Sequence, residues 1–248
     1  MSNIKINYSG RLGNHIIMYL MGVYFAEKNN IYFQSKIPDQ NFYNFFEIDI
    51  PRGEEQKEYD ETILIDDNNV EELLFNNKTS NKNIVLGGYF QSPNILGNPN
   101  IENKYKKYIS PKKIENTLDL YVHVRLGDIL GRHSLPYEYY ENRLKNISFE
   151  NGIITSDTPN HPIVEKIIKK YNLKLFCGEP AETIALGSQC KNIVLSAGTF
   201  SFLSAYYSKK SNVFYIDNKK MKKYFDINPW GPNIFSIFSK KENFFNYE

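Results

Sequence analysis

Apolar residues in the second half of the chain form short runs typical of buried strands, separated by longer segments with helical spacing. The first run combines Leu118, Leu120, Val122 and Val124. The predicted strands span 118–124, 152–156, 173–176, 192–195 and 213–216, and the predicted helices span 137–147, 163–171, 181–188 and 200–207. Regular alternation of strands and helices is typical of a parallel, doubly wound α/β domain.

The first half of the chain opens with a similar unit. A predicted strand over 4–8 is followed by a loop containing Gly10 and Gly13, and then by a predicted helix over 16–28. The loop lacks the Gly-x-Gly-x-x-Gly spacing of dinucleotide-binding domains, so we do not expect NAD to bind here. Further strands are predicted at 31–35, 62–66 and 84–90, and further helices at 70–75 and 102–108.

The segment 94–117 is the predicted connection between two domains, because it is polar, follows Pro93 and contains Pro99 and Pro111. We therefore place one domain at 1–113 and a second at 114–223. A C-terminal tail at 224–248 follows and holds the single tryptophan, Trp230.

Composition excludes several classes of function. A net charge of +2 without a basic stripe argues against nucleic acid as a partner. The two cysteines, Cys177 and Cys190, are too few for a disulfide framework and suit a reducing compartment. The N-terminus does not resemble a signal peptide, and no apolar run approaches the ~20 residues that span a bilayer. We expect a cytoplasmic protein without a transmembrane segment, for which peripheral membrane contact stays open.

The first candidate for chemistry is the end of the predicted strand 118–124. His123 and Arg125 are two residues apart and should point to the same side of that strand. Ligands of parallel sheets bind at the carboxyl ends of the strands, where an arginine can meet a phosphate through two parallel hydrogen bonds. A structural ion pair between Arg125 and Asp128 is the competing interpretation.

The second candidate is the stretch from Ser196 to Ser201, where a predicted strand runs through small hydroxyl residues into a helix. The unpaired N–H groups of a helix N-terminus suit a phosphate. Simple N-capping by Ser196 or Thr199 would use the same donors. Asp157 ends another predicted strand, where a helix cap is one interpretation of the residue.

The stretch His123-x-Arg125-x-Gly127-Asp128 resembles the His-x-Arg-Arg-x-Asp motif of the GDP-fucose-dependent α-1,2-fucosyltransferases, glycosyltransferase family 11, and more broadly the motif of the His-x-Arg-x-x-Asp group of fucosyltransferases. Further stretches look like other segments of that family, in the same order along the chain. They are 10–14, 87–92, 135–140, 154–159 and 195–203. The chain departs from the family at Leu126, where many members have a second arginine, and at Phe202 and Leu203, which replace a tryptophan pair.

The resemblance implies a GT-B-like α/β fold with two Rossmann-like domains facing across a cleft. Domain 1–113 would lie on the acceptor side, 114–223 would bind the nucleotide sugar, and the tail would pack back on the first domain. The implied activity is inverting transfer of fucose from GDP-fucose to a hydroxyl of a glycan acceptor, in α-1,2 linkage, without a metal or other cofactor. Transfer from another GDP-hexose is an alternative, as is a nucleotide-sugar or glycan-binding protein without turnover.

The resemblance also assigns roles to individual residues. Arg125, Asp128 and His123 are the expected catalytic residues. Asp128 and His123 are the nearest candidates for the base, and His133 is a more distant one. The expected donor-binding residues are Gly13, Asn14, His123, Arg125, Asp157, Ser196, Thr199, Phe200 and Ser201. Among them, Asp157 could accept a hydrogen bond from the ribose or the guanine.

Overall fold

A computed structural model describes residues 3–50, 53, 59–115, 118–130, 134–216 and 233–246. The chain divides into two compact units, Met1–Ser110 and Pro111–Glu248. The division falls inside the polar connecting segment 94–117, three residues before the domain boundary expected from the sequence.

The first unit is built on a three-stranded parallel sheet in the order β1-β4-β3, with a separate pair formed by β2 and β5. Its elements are β1 (Ile4–Ile6), α1 (Leu12–Asn29), α2 (Phe42–Phe45), β2 (Phe46–Ile48), β3 (Thr62–Ile65), α3 (Val70–Leu74), β4 (Asn83–Leu86), α4 (Pro93–Leu96), α5 (Pro99–Tyr108) and β5 (Ile109–Pro111). The predicted strand–loop–helix unit at the N-terminus is confirmed.

One predicted strand of the first unit is wrong. Residues 32–35 form no strand, and Ile31 makes only an isolated bridge. Ile31 and Phe33 are buried, and the Phe33 ring packs edge-on against Tyr19 of α1 at a centroid distance of 5.1 Å. The alternation of the sequence therefore reflects an extended segment with one buried face, which does not require a hydrogen-bonded neighbour.

The second unit is a six-stranded parallel sheet in the order β11-β10-β9-β6-β7-β8. Its elements are β6 (Leu120–Val124), α6 (Tyr137–Leu144), β7 (Gly152–Ser156), α7 (Pro162–Tyr171), β8 (Lys174–Leu175), α8 (Pro180–Gly187), β9 (Asn192–Val194), α9 (Thr199–Tyr206), β10 (Asn212–Tyr215) and β11 (Phe244–Asn246), with 3-10 turns at Gly127–Ile129 and Ile234–Lys240. The prediction of a parallel, doubly wound domain is confirmed.

The strand order reverses at β6. The chain runs outward from β6 through β7 to β8, then returns so that β9 lies on the other side of β6, followed by β10 and β11. The gap between the carboxyl ends of β6 and β9 is therefore the topological switch point, where doubly wound sheets bind their ligands. Both stretches that the sequence singles out, 123–128 and 196–201, follow these two strands.

Alternation along β6 decides which side chains reach each face of the sheet. Leu120, Val122 and Val124 lie in a core cluster with residues of α6 and α7. Tyr121 lies against α8, because a Cβ added to Gly187 would come 2.8 Å from its ring. His123 and Arg125 share the parity of Tyr121, so β6 directs them to the face of the sheet that α8 and α9 cover.

The described part of the C-terminal tail packs within the second unit. Phe238 stacks on Phe202 of α9 with a centroid distance of 5.2 Å, and β11 pairs with β10 at the edge of the sheet. The sequence did not predict β11. Residues 217–232, including Trp230, lie outside the described residues, and packing of the tail on the first domain remains a prediction.

Candidate functional site

Arg125 lies at the switch point, immediately after β6. Its backbone N–H donates to the Ser196 hydroxyl at 3.0 Å, which joins the ends of β6 and β9. Its Nη2 donates to both carboxylate oxygens of Asp128 at 3.2 Å. The Arg125 side chain is 25% exposed and that of Asp128 is 49% exposed. The ion pair expected in the competing interpretation is therefore present, at a solvent-accessible position.

Gly198 makes room for the guanidinium. Its φ is +93°, and a Cβ at this position would lie 2.1 Å from Nη1 of Arg125. Any side chain would thus be strained and would displace the arginine. Gly198 is also the N-cap residue of α9, which has no side-chain cap, so N-capping by Ser196 or Thr199 is wrong. Arg125 and the N-terminus of α9 lie side by side as a result.

A buried polar network lies beneath these groups. The Ser196 hydroxyl, which accepts from Arg125, also accepts from the Tyr140 hydroxyl at 3.0 Å. The Ser196 N–H donates to the Ser201 hydroxyl at 2.9 Å, and that hydroxyl pairs with Nδ1 of His123. Buried and mutually bonded, Ser196 and Ser201 fix α9 against the end of β6.

His123 is a buried member of this network. Its side chain is 5% exposed, and its ring lies 5.0 Å from that of Phe200 between centroids. Burial lowers the pKa of His123 to about 4; Asp157 acts weakly in the opposite direction, and the Arg125 charge adds to the lowering. A neutral imidazole that is already bonded through Nδ1 is poorly placed to take a proton from a bound ligand.

Asp157 holds the turn that follows β6. Its Oδ1 accepts from the Leu126 N–H at 2.8 Å and from the Gly127 N–H at 3.2 Å. The helix-cap interpretation of Asp157 is wrong, because α7 begins later and its N-cap residue is His161, whose side chain accepts from the Ile163 N–H. Contact of Asp157 with a ribose or guanine remains a prediction.

Two residues that depart from the fucosyltransferase motifs, Leu126 and Phe202, have a packing role. Both side chains are fully buried. The Leu126 side chain joins the core cluster beneath β6, so this position supplies no second cationic contact. The Phe202 ring stacks on Tyr206 and on Phe238, and it fills the core as a large aromatic side chain.

Gly13 and Asn14 lie in the first unit, in the first turn of α1. Asn14 Oδ1 accepts from the Gln91 side chain at 3.0 Å, which ties the loop after β1 to the loop after β4. Gly10 precedes them with a φ of +81°, and a Cβ there would collide with the Asn14 side chain at 2.1 Å. The two glycine-containing stretches of this unit thus form one connected edge.

Two residues of the site in the second unit, Gly198 and Tyr140, are not among those predicted from the sequence. Gly198 lies directly before a helix, a position at which glycine suggests a backbone conformation that other residues rarely adopt. The Tyr140 hydroxyl donates to the Ser196 hydroxyl. Spacing alone cannot identify this role, because the two residues are 56 positions apart along the chain.

The residues that the structure describes contain neither a cluster of metal-binding side chains nor a membrane-spanning helix. No group of three or more His, Cys, Asp or Glu side chains there could hold a metal ion. No helix there combines the length and the apolar character needed to cross a bilayer.

Comparison with known proteins supports the fold. The sequence matches no protein-family model and no curated protein sequence. The structure is similar to that of NodZ α-1,6-fucosyltransferase soaked with GDP-fucose, with a TM-score of 0.52 and 11% identity over 83% of this chain and 91% of that one. A NodZ structure co-crystallised with GDP gives 0.51 and 10% over the same shares. The chain has a GT-B-like α/β fold.

The burial of His123 predicts a specific dependence of stability on pH. The unfolded chain takes up a proton on this histidine near pH 6.5, whereas the folded chain does so only near pH 4. The contribution of neutral His123 to the free energy of unfolding is therefore fully present above pH 6.5. The free energy of unfolding falls by about 3 kcal/mol as the pH is lowered to 4. Urea unfolding followed by circular dichroism between pH 7 and pH 4 measures this loss.

His123→Gln is the variant that isolates the effect. It removes the titrating group, so its free energy of unfolding should fall less steeply with decreasing pH than that of the wild type. His161→Asn is the matched control, because asparagine can still cap α7 and the steep slope should persist. Equal slopes for the wild type and His123→Gln would show that His123 is not held neutral by burial.

Proposed function

We propose that this chain is an inverting glycosyltransferase that transfers fucose from GDP-fucose to a hydroxyl of a glycan. The observation that carries the proposal is the position of Arg125 at the switch point, beside the N-terminus of α9. The fold likeness supports it, since the similar structures are of a fucosyltransferase with GDP-fucose or GDP. Membership of glycosyltransferase family 11 and the α-1,2 linkage rest on the sequence motifs alone.

The donor pyrophosphate would bind between Arg125 and the first turn of α9, in the region of Thr199 to Ser201. An arginine fork and helix N–H groups are complementary to phosphate oxygens. The existing ion pair does not prevent this, because a pair with a half-exposed carboxylate contributes only ~0–1 kcal/mol. A doubly charged pyrophosphate can therefore replace Asp128 as the partner of Arg125 at little cost.

The transfer would be a single displacement. The acceptor oxygen attacks the anomeric carbon of the sugar while the bond from that carbon to the β-phosphate oxygen breaks. Negative charge grows on the departing GDP, and Arg125 and the α9 amides stabilise it most strongly at that stage. The Arg125 charge and the α9 dipole would stabilise the negative charge of the leaving group, as a divalent metal does in other transferases. We therefore propose a metal-independent reaction.

Asp128 is the better of the two candidates for the base that takes the acceptor proton. Its carboxylate is exposed and becomes available once the pyrophosphate engages Arg125. His123 is buried, neutral and bonded to Ser201, so we assign it the role of orienting α9. His133, the third candidate, lies outside the described residues.

A donor comparison tests the proposed function. The purified chain is incubated with GDP-fucose, GDP-mannose or UDP-galactose and a panel of oligosaccharides, with and without EDTA, and products are detected by mass spectrometry. We expect transfer from GDP-fucose that survives EDTA. Preference for GDP-mannose would favour the alternative hexose donor. Binding of GDP without transfer from any donor would favour a non-catalytic protein, and EDTA-sensitive transfer would contradict the metal-independent reaction.

Arg125→Lys should lower kcat by about 10²–10³-fold, because lysine keeps the charge but loses the planar fork that meets two phosphate oxygens. The affinity for GDP should fall less than kcat, since the contact strengthens as charge develops. The melting temperature should change little, because the side chain is partly exposed and its ion pair is weak. Steady-state kinetics, calorimetry with GDP and thermal unfolding measure the three quantities.

Arg143→Lys is the matched control, since Arg143 lies on α6 of the same unit, with Nη2 3.5 Å from the Tyr215 carbonyl oxygen. It should leave kcat within about twofold, as for a substitution away from the reacting groups. If Arg125→Lys were fully active but less stable than the wild type, the arginine would serve the ion pair with Asp128 and not the reaction.

A further inference from the structure

The loop after β4 in the first unit adopts a backbone conformation that its sequence does not favour. Phe90 has a φ of +56° and a fully buried ring. A bulky aromatic residue rarely adopts the left-handed region, and strained residues persist only where their surroundings fix them. Asp67 provides that constraint: its carboxylate accepts from the Tyr89 N–H at 2.9 Å and from the Phe90 N–H at 2.6 Å.

Further contacts fix both ends of the loop 87–92 after β4. Glu71 accepts from the Ser92 hydroxyl and from the Asn94 side chain, the latter at 3.1 Å. The Gly88 backbone lies close to the backbone of Asp67: a Cβ at Gly88 would be 2.7 Å from the Asp67 nitrogen. Two carboxylates and one close approach thus fix a loop of six residues.

The residue that this arrangement presents is Tyr89. Its side chain lies at an exposed position, 43% accessible, at the carboxyl edge of the parallel sheet β1-β4-β3. Its hydroxyl lies 3.0 Å from the hydroxyl of the exposed Ser9 in the loop after β1. Gln91, two residues on, donates to Asn14 in the first turn of α1, which follows that loop. An exposed aromatic ring therefore has a second hydroxyl beside its own, on a loop that is tied to the start of α1.

We infer that Tyr89 is a stacking platform for a sugar ring of the acceptor glycan, with Asp67 as the residue that positions it. A pyranose has an apolar face of C–H groups and a rim of hydroxyls, which complements an exposed aromatic face with the Tyr89 and Ser9 hydroxyls at its edge. A rigid exposed ring loses little conformational entropy on binding. The identification of this sugar as the acceptor rests on the proposed function; the stacking itself does not.

Saturation-transfer difference NMR with lactose, maltose and chitotriose as probes tests the stacking without requiring turnover. The wild type should give signals from the ring C–H protons of at least one probe. Tyr89→Ala should weaken that binding about tenfold, as expected for loss of one aromatic contact. Tyr89→Phe should retain most of it. Tyr89→Leu, which keeps apolar bulk without a flat face, should lose it.

Tyr32→Ala is the matched control, because Tyr32 is a tyrosine of the same unit with 41% exposure. It should bind the probes like the wild type. Asp67→Asn should weaken probe binding, since the amide offers one acceptor oxygen in place of two. Calorimetry with GDP should give unchanged affinity for all of these variants, and thermal unfolding followed by circular dichroism should show that each of them is folded.

Three results would overturn the inference: no probe binding by the wild type, equal binding by Tyr89→Ala, or a loss of GDP affinity in Tyr89→Ala that assigns the ring to the donor base. Assays of fucose transfer distinguish failure of the Tyr89 inference from failure of the proposed function. Fucose transfer with an unchanged acceptor KM in Tyr89→Ala contradicts the platform only. Sugar binding through Tyr89 in a chain without transfer from any donor contradicts the proposed function only.

Discussion

The hydrogen bond from the Arg125 backbone to the Ser196 hydroxyl is the constraint on which the site in the second unit depends. It joins the ends of β6 and β9 at the point where the strand order reverses. Tyr140 fixes the serine from α6, and Ser201 connects it to α9 and to His123. The guanidinium and the N-terminus of α9 are consequently held together before any ligand arrives, as electrostatic preorganisation requires.

Much of the second unit follows from the sequence, because a buried parallel strand and an amphipathic helix differ in period and length. The predicted strand 152–156 coincides with β7, and the other predicted strands of this unit overlap β6, β8, β9 and β10. Chemistry at the ends of β6 and β9 was also predictable, since parallel strands expose their carboxyl ends at one edge. The sequence could not show that these two strands are neighbours, because their pairing spans some 70 residues.

Other features depend on contacts that no local pattern records. Asp157 follows a strand and precedes a proline, as a helix cap does, yet its carboxylate bonds to the turn after β6. Phenylalanine rarely adopts a positive φ, and Phe90 does so because the distant Asp67 carboxylate accepts from its N–H. β11 adds to the sheet from a distant segment whose aromatic residues pack on α9, so its strand character depends on tertiary contacts.

A crystal structure of the chain with GDP tests the donor site most directly. We expect β-phosphate oxygens at hydrogen-bonding distance, roughly 2.7–2.9 Å, from the Arg125 guanidinium, with further contacts from the N–H groups at the start of α9. Asp128 should have lost at least one of its two bonds to Arg125. A pyrophosphate bound elsewhere, with the Arg125–Asp128 pair unchanged, would contradict the claim that the switch point is the donor site.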